Sequence, residues 1–341
     1  MTTAPEEHGG DWPRLVACGW DPDDILDLSA SINRYGPGPA VEALWPKLVK
    51  KLGRYPDREA RHLRVHLARH LGVPQPAVLP LAGATAALDL LVTGHPGLAV
   101  YARRPGFGEY AGAARRSRTA FAWTDAPPAG PALAFLANPE NPTGTLLPAK
   151  ELQRWRRWAA ATGGVLVVDE SFLEFLPDWR DLTLAKDAAR GELFVVGSLT
   201  KFYSLAALRV GFLVGHPDHV RRLSASVAPW SLGGVAQAAA VAALSDQAFF
   251  AQTRDAIRRD WQALRAALEA RGGRFWPGAR PLNYLLVRFP EDPAHLAERL
   301  ARRGILVRTT ASFFGPESPW VRIAVPRPDE LERLLAALDG S

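Results

Sequence analysis

The chain has 341 residues, 48% of them apolar and 22% charged, the composition of a globular protein with a sizeable core. Its net charge is +6, but the basic residues are scattered through helical stretches such as 58–70 and 154–158, which favours solvated helix faces over a nucleic-acid stripe and suits a small anionic substrate. One cysteine, Cys18, excludes an intramolecular disulfide and a cysteine metal cluster; without a signal-peptide pattern or an apolar run of bilayer length, the expected compartment is the cytoplasm.

In chain order, residues 1 to about 45 are loop-rich and can lie across whatever follows. The runs 98–102 (LAVYA), 132–138 (ALAFLAN), 164–170 (GVLVVDE), 193–198 (LFVVGS) and 210–215 (VGFLVG) read as buried strands, with amphipathic helices such as 148–163 between several of them. Continuous apolar strands separated by helices predict an α/β fold with a mainly parallel sheet covered on both faces. Ligands of such sheets sit at the carboxyl ends of the strands. The last third changes character. A long helix at about 246–271 precedes strands at 283–289, 305–310 and 320–325, with helices at 295–304 and 328–339. The expected division is an N-terminal segment 1–45, a large domain 46–240 and a small α+β domain 241–341.

Residues able to carry chemistry recur at the strand ends. "LAGATAALDLL" (81–91) leads small residues into a helix whose first N–H groups can bind an anion, so Gly83, Ala84 and Thr85 are phosphate candidates. "RRPGFGEY" (103–110) places Phe107 where it can stack on a flat ring. In "NPENPTG" (138–144), Asn141 precedes a proline, is held extended and can offer its amide to a ring hydroxyl. "VLVVDES" supplies Asp169, a carboxylate partner for a protonated pyridine nitrogen. Ser198, Thr200 and Arg209 form an anion-binding set around Lys201. This lysine is one of six in a chain with thirty-five arginines. Arginine is never deprotonated, so only lysine can form a Schiff base. Taken singly, these residues read equally as a helix start, a core aromatic, a turn, an exposed strand end and a surface loop. Their order along one sheet points to pyridoxal phosphate.

That order, from small-residue helix start through N-P-T-G, D-E and S-x-x-K to R-x-G, resembles the fold-type I pyridoxal-phosphate enzymes, the aspartate aminotransferase superfamily, over nearly the whole chain. The resemblance implies a large cofactor domain with a mainly parallel seven-stranded sheet, a smaller α+β domain and pyridoxal 5'-phosphate as cofactor; no metal, nucleic-acid or membrane partner is expected. "GRYPD" (53–57), "NPENPTG" and "LRVG" look like the histidinol-phosphate aminotransferase branch. There the tyrosine matching Tyr55 reaches the cofactor phosphate of the other subunit, which implies a homodimer with shared active sites. "HGGD" (8–11), "LDLSASINRYGP" (26–37) and "SLTKFYSLAALRVG" resemble instead the threonine-phosphate decarboxylase family of cobalamin biosynthesis. So does Phe172 in "DESFLEF", where aminotransferases place a tyrosine. Arg34 departs from that family's usual proline, and Ala84 and Thr85 are plainer than its phosphate loop. The resemblance also implies that Arg322 holds a substrate α-carboxylate and that Arg308, Asn33 and His8 hold a substrate phosphate.

The expected reaction is decarboxylation of L-threonine O-3-phosphate to (R)-1-amino-2-propanol O-phosphate, with Asp169 keeping the ring nitrogen protonated and Lys201 returning a proton to Cα. Histidinol-phosphate transamination would use the same groups. A rival of another class is a non-catalytic sensor or scaffold on the cofactor fold, against which the intact set Lys201, Asp169, Asn141 and Arg209 argues.

Overall fold

The computed structural model of the chain describes residues 9–50 and 52–340. A seven-stranded sheet lies at its centre, with strands β1 (Val78–Leu81), β2 (Val100–Arg103), β3 (Phe121–Thr124), β4 (Leu133–Ala137), β5 (Val165–Asp169), β6 (Phe194–Ser198) and β7 (Gly211–Val214). Their spatial order is β1-β7-β6-β5-β4-β2-β3, and β7 alone among them runs against the others.

Successive residues of a strand point to opposite faces, and here both faces are covered. Ala134, Leu136, Val168 and Val195 join the core built with helices Arg61–Leu71, Ala149–Thr162 and Gly234–Ser245. Leu133, Phe135, Val167 and Val196 join the opposite core with helices Ala84–Thr93, Glu109–Arg116 and Pro217–Ser224. This double burial is why the strands are uninterrupted apolar runs. The five expected strands are all present. The two that sequence reading did not single out, β1 and β3, are the sheet's edges. β1 carries Pro80, tolerated at an edge, and β3 is partly exposed along its length, so neither shows a clean apolar signal.

A second, antiparallel sheet orders Arg308–Thr309, Val321–Ala324, Tyr284–Arg288 and Arg274–Phe275 side by side. Helices Gln247–Glu269, Pro293–Ala301 and Pro328–Asp339 supply Trp261, Leu264, Leu300 and Leu334 to its core. The single strand expected over 305–310 is split. Ile305–Leu306 pairs in parallel with Leu26–Asp27, whereas Arg308–Thr309 pairs with Val321–Ala324. The N-terminal segment therefore adds to this part of the molecule, and then crosses to the large sheet, where the Asn33 N–H donates to the Lys201 carbonyl (3.0 Å).

Candidate active site

The carboxyl ends of the parallel strands define one edge of the large sheet. Asp169 ends β5 and Ser198 ends β6. Because β7 is reversed, Arg209, just before it, reaches the same edge. A cleft of about 430 Å³ opens there. It brings together eleven expected site residues: Lys201, Asp169, Asn141, Ser198, Thr200, Arg209, Ala84, Thr85, Phe107, Arg308 and Arg322.

Part of the cleft gathers hydroxyls, a helix start and a guanidinium, a set chemically able to hold an anion. The Ser198 and Thr200 hydroxyls lie 2.7 Å apart. Helix Ala84–Thr93 begins at Gly83 (φ 91°) without a side-chain cap, so its first N–H groups and positive dipole end serve the cleft. A Cβ on Gly83 would stand 2.9 Å from Arg209 Nη2. A Cβ on Gly211 would stand 2.4 Å from the Ala84 nitrogen. Bare glycines thus let the guanidinium and β7 close against the helix start. Gly83 contributes backbone here and does not itself line the cleft.

At the floor, Asp169 is buried and accepts hydrogen bonds from Tyr110 Oη at Oδ2 (2.9 Å) and from the Ser171 N–H at Oδ1 (2.9 Å). Burial raises its pKa, while these bonds and the Lys201 charge pull the other way. Tyr110 is stacked on Phe135 with ring centroids 5.1 Å apart. Sequence reading missed Tyr110, although "RRPGFGEY" contains it. Its place at the second position of a short helix gives no local sign that it faces a carboxylate three strands' connections away.

Lys201 Nζ donates to the Ala30 carbonyl (3.0 Å). Burial, then the charges of Arg322 and Arg209, bring its pKa down to about 8. The two residues after it are locked in the core. Tyr203 Oη donates to Glu174 Oε2 (2.5 Å), which also bonds His70 Nε2 (2.8 Å), and His70 stacks on Trp179.

Two buried arginines also line the cleft. Arg308 and Arg322 face each other in register on neighbouring strands. Arg322 donates through Nη1 to Asn141 Oδ1 (2.7 Å) and through Nη2 to the Ser29 carbonyl (2.6 Å), both neutral acceptors. Burial lowers its pKa to about 10, so it stays charged at neutral pH. Arg308 Nη2 donates to Ser312 Oγ (3.0 Å), and both guanidinium groups lie by the Phe313 ring. Phe172 lines the cleft without a hydroxyl and packs edge-on against Tyr284.

Two more expected site residues, Asn33 and Tyr55, do not line the cleft. Asn33 is buried. Its Nδ2 donates to the Phe202 carbonyl (2.9 Å) and its Oδ1 accepts from the Tyr35 N–H (2.9 Å), so its amide is committed to fixing the chain around Lys201. Tyr55 is 86% exposed on a different groove, 5.2 Å from the Trp230 ring, and contributes nothing to the cleft of its own chain. His8 lies outside the described residues. Arg34, the departure from proline, forms an ion pair with Glu330 (2.5 Å).

The sequence pattern of the family described as aminotransferase class I and II matches residues 122–338. The chain belongs to the class I and II aminotransferase family. Members of this family depend on pyridoxal 5'-phosphate, and the residues of the cleft fit that group: a buried carboxylate at its floor, a cradle of hydroxyls, helix N–H groups and a guanidinium, and a lysine between them. The fold is aspartate aminotransferase-like. Among family members, the chain is 33% identical to a threonine-phosphate decarboxylase of Salmonella typhimurium, over 97% of this chain and 95% of the relative. It is 31% identical to histidinol-phosphate aminotransferase 1 of Cupriavidus pinatubonensis, over 94% and 89%. The crystal structure of L-threonine-O-3-phosphate decarboxylase from Porphyromonas gingivalis superposes with a TM-score of 0.80 at 25% identity, over 93% of this chain and 99% of that one.

Proposed function

We propose that this family member decarboxylates L-threonine O-3-phosphate, the step that its sequence resemblance associates with cobalamin biosynthesis, in the cytoplasm. The observation that carries this reading is the register pairing of Arg308 and Arg322 on adjacent strands beside the lysine. Two guanidinium groups so close together suit one short substrate bearing two anionic groups a few atoms apart. Arg322, charged and bonded only to neutral oxygens, takes the α-carboxylate through its fork. Arg308 takes the phosphate. Bound in the cleft, the cofactor supplies an electron sink for the bond that breaks at Cα. Asp169 would keep the ring nitrogen protonated, Asn141, whose Oδ1 is held by Arg322, would have its amide N–H groups left to donate to the ring oxygen, and Lys201 would deliver the proton to Cα.

Histidinol-phosphate transamination is the second reading, supported by the 31% identical relative. Carbon dioxide release from O-phospho-L-threonine is expected, with no amino transfer from histidinol phosphate to 2-oxoglutarate. Turnover only in the second assay overturns the first reading.

We further propose a homodimer in which Tyr55 completes the partner's phosphate cradle. Support comes from its exposure on an apolar groove lined by Leu44, Leu48, Leu52 and Val235, beside the half-exposed Trp230. Sedimentation equilibrium is expected to show one dimeric species; a monomer at micromolar concentration sinks this proposal.

A further inference from the structure

Residues 29–31 form a strap beside the cleft, with Ala30 in its lining. Its three consecutive carbonyls are held by three different side chains. The Ser29 carbonyl accepts from Arg322 Nη2 (2.6 Å), the Ala30 carbonyl from Lys201 Nζ (3.0 Å), and the Ser31 carbonyl from Asn283 Nδ2 (2.5 Å). Two of these donors belong to the site. The third, Asn283, does not line the cleft. It sits just before strand Tyr284–Arg288, is 2% exposed, and its own carbonyl is tied to the Val325 N–H (2.8 Å).

The strap is held at a cost. Ser31 has φ 48°, in the left-handed region that side chains disfavour. The Ser31 hydroxyl and Asn283 Oδ1 are both buried without a hydrogen-bond partner among the described residues. An orphaned buried acceptor is a penalty that an apolar side chain of the same size would avoid. The amide satisfies one buried carbonyl and leaves its own oxygen unpaired, so its net contribution to stability is small. What the amide gains is one bond, to the peptide that turns the strap.

We infer that Asn283 is a positioning residue for Lys201: by holding the Ser31 carbonyl it fixes the strained turn that aims the Ala30 carbonyl at the lysine and the Ser29 carbonyl at Arg322. The inference rests on Lys201 being the reactive lysine of this family member. It does not depend on which substrate is used. The charged groups facing Lys201 are Arg322, Arg209, Arg308, Asp27 and Asp169, all of which remain when Asn283 is replaced. The change expected is therefore confined to one acceptor. A carbonyl favours the ammonium form, so its loss leaves more neutral amine at neutral pH.

The test uses the full chain with Asn283→Leu, close in size and without the orphaned oxygen. In cofactor-stripped protein at pH 7, acylation of Lys201 by acetic anhydride, read by peptide mass spectrometry against exposed Lys150, is expected to rise roughly 2- to 10-fold, the span of one lost hydrogen bond. In the reconstituted enzyme, kcat should fall while the melting temperature stays near native. An unchanged Lys201:Lys150 labelling ratio overturns the inference, whatever the melting temperature. If Asn283→Leu does not fold, Asn283→Ala is read by the same ratio. Because labelling needs no substrate, a failed decarboxylation assay leaves this test intact.

Discussion

Replacing Lys201 with alanine is expected to lower carbon dioxide release from O-phospho-L-threonine by at least about 10³-fold, within the range that a positioned proton donor supplies, before the lost covalent hold on the cofactor is counted. The reason lies in the lysine's surroundings. Burial and the charges of Arg322 and Arg209 bring its pKa to about 8, so a useful fraction of amine is neutral near pH 7 and the group can both attack and return a proton. No neighbour can take its place. Lys201→Arg preserves the charge and should be equally dead, because a guanidinium does not deprotonate. The native protein should be yellow with pyridoxal phosphate and should gain the reduced cofactor's mass on the Lys201 peptide after borohydride treatment. Neither variant should. A Lys201→Ala protein with more than a few per cent of native turnover would remove the lysine from the chemistry, and with it the catalytic reading.

The second large effect is expected at Arg322. Its removal takes the anchor from the substrate carboxylate and strips donors from Asn141 Oδ1 and the Ser29 carbonyl. Hydrogen bonds to charged groups contribute about 1.5–3 kcal/mol each, so a two-pronged fork is worth roughly 10²- to 10⁴-fold in kcat/KM. Arg322→Ala should show this loss mainly in KM, with a lower melting temperature from the two acceptors left unpaired. Arg322→Lys keeps a charge but not the fork, and its shorter head cannot hold Asn141, Ser29 and a carboxylate together, so it should recover little. Steady-state kinetics with O-phospho-L-threonine settle the point: an unchanged KM in Arg322→Ala would move the carboxylate site elsewhere. Arg308→Ala is the comparison, since its loss weakens the phosphate end only.

The class of fold and the chemistry were legible because both are written locally. A strand buried on two faces must be apolar throughout, so β4, β5 and β6 announced themselves, whereas β1 and β3, at the edges, did not. Asp169 and Ser198 end strands, and Asn141 and Lys201 follow strands within four residues, so a reading of the strands leads to them. That is why Asp169, Asn141, Ser198 and Lys201 could be named before any coordinate was known, and why lysine in an arginine-rich chain carried meaning.

What the sequence by itself determined, then, is the sheet, the cofactor class and the strand-end set around Lys201. The tertiary structure decided which distant groups meet. Nothing local says that Tyr110 reaches Asp169, that Glu174 joins His70 to Tyr203, or that Arg308 stands opposite Arg322, since register is set by pairing across the small sheet. Asn33 shows the same limit from the other side. The resemblance suggested a substrate contact, but in the folded chain both ends of its amide bond the Phe202 and Tyr35 backbone, because a buried amide must be satisfied where it lies. Tyr55, 86% exposed beside the Trp230 ring, lies on a groove other than the cleft of its own chain, and no local feature of its sequence says so. Contacts between residues far apart in sequence depend on how the whole chain closes, and no short stretch carries that information.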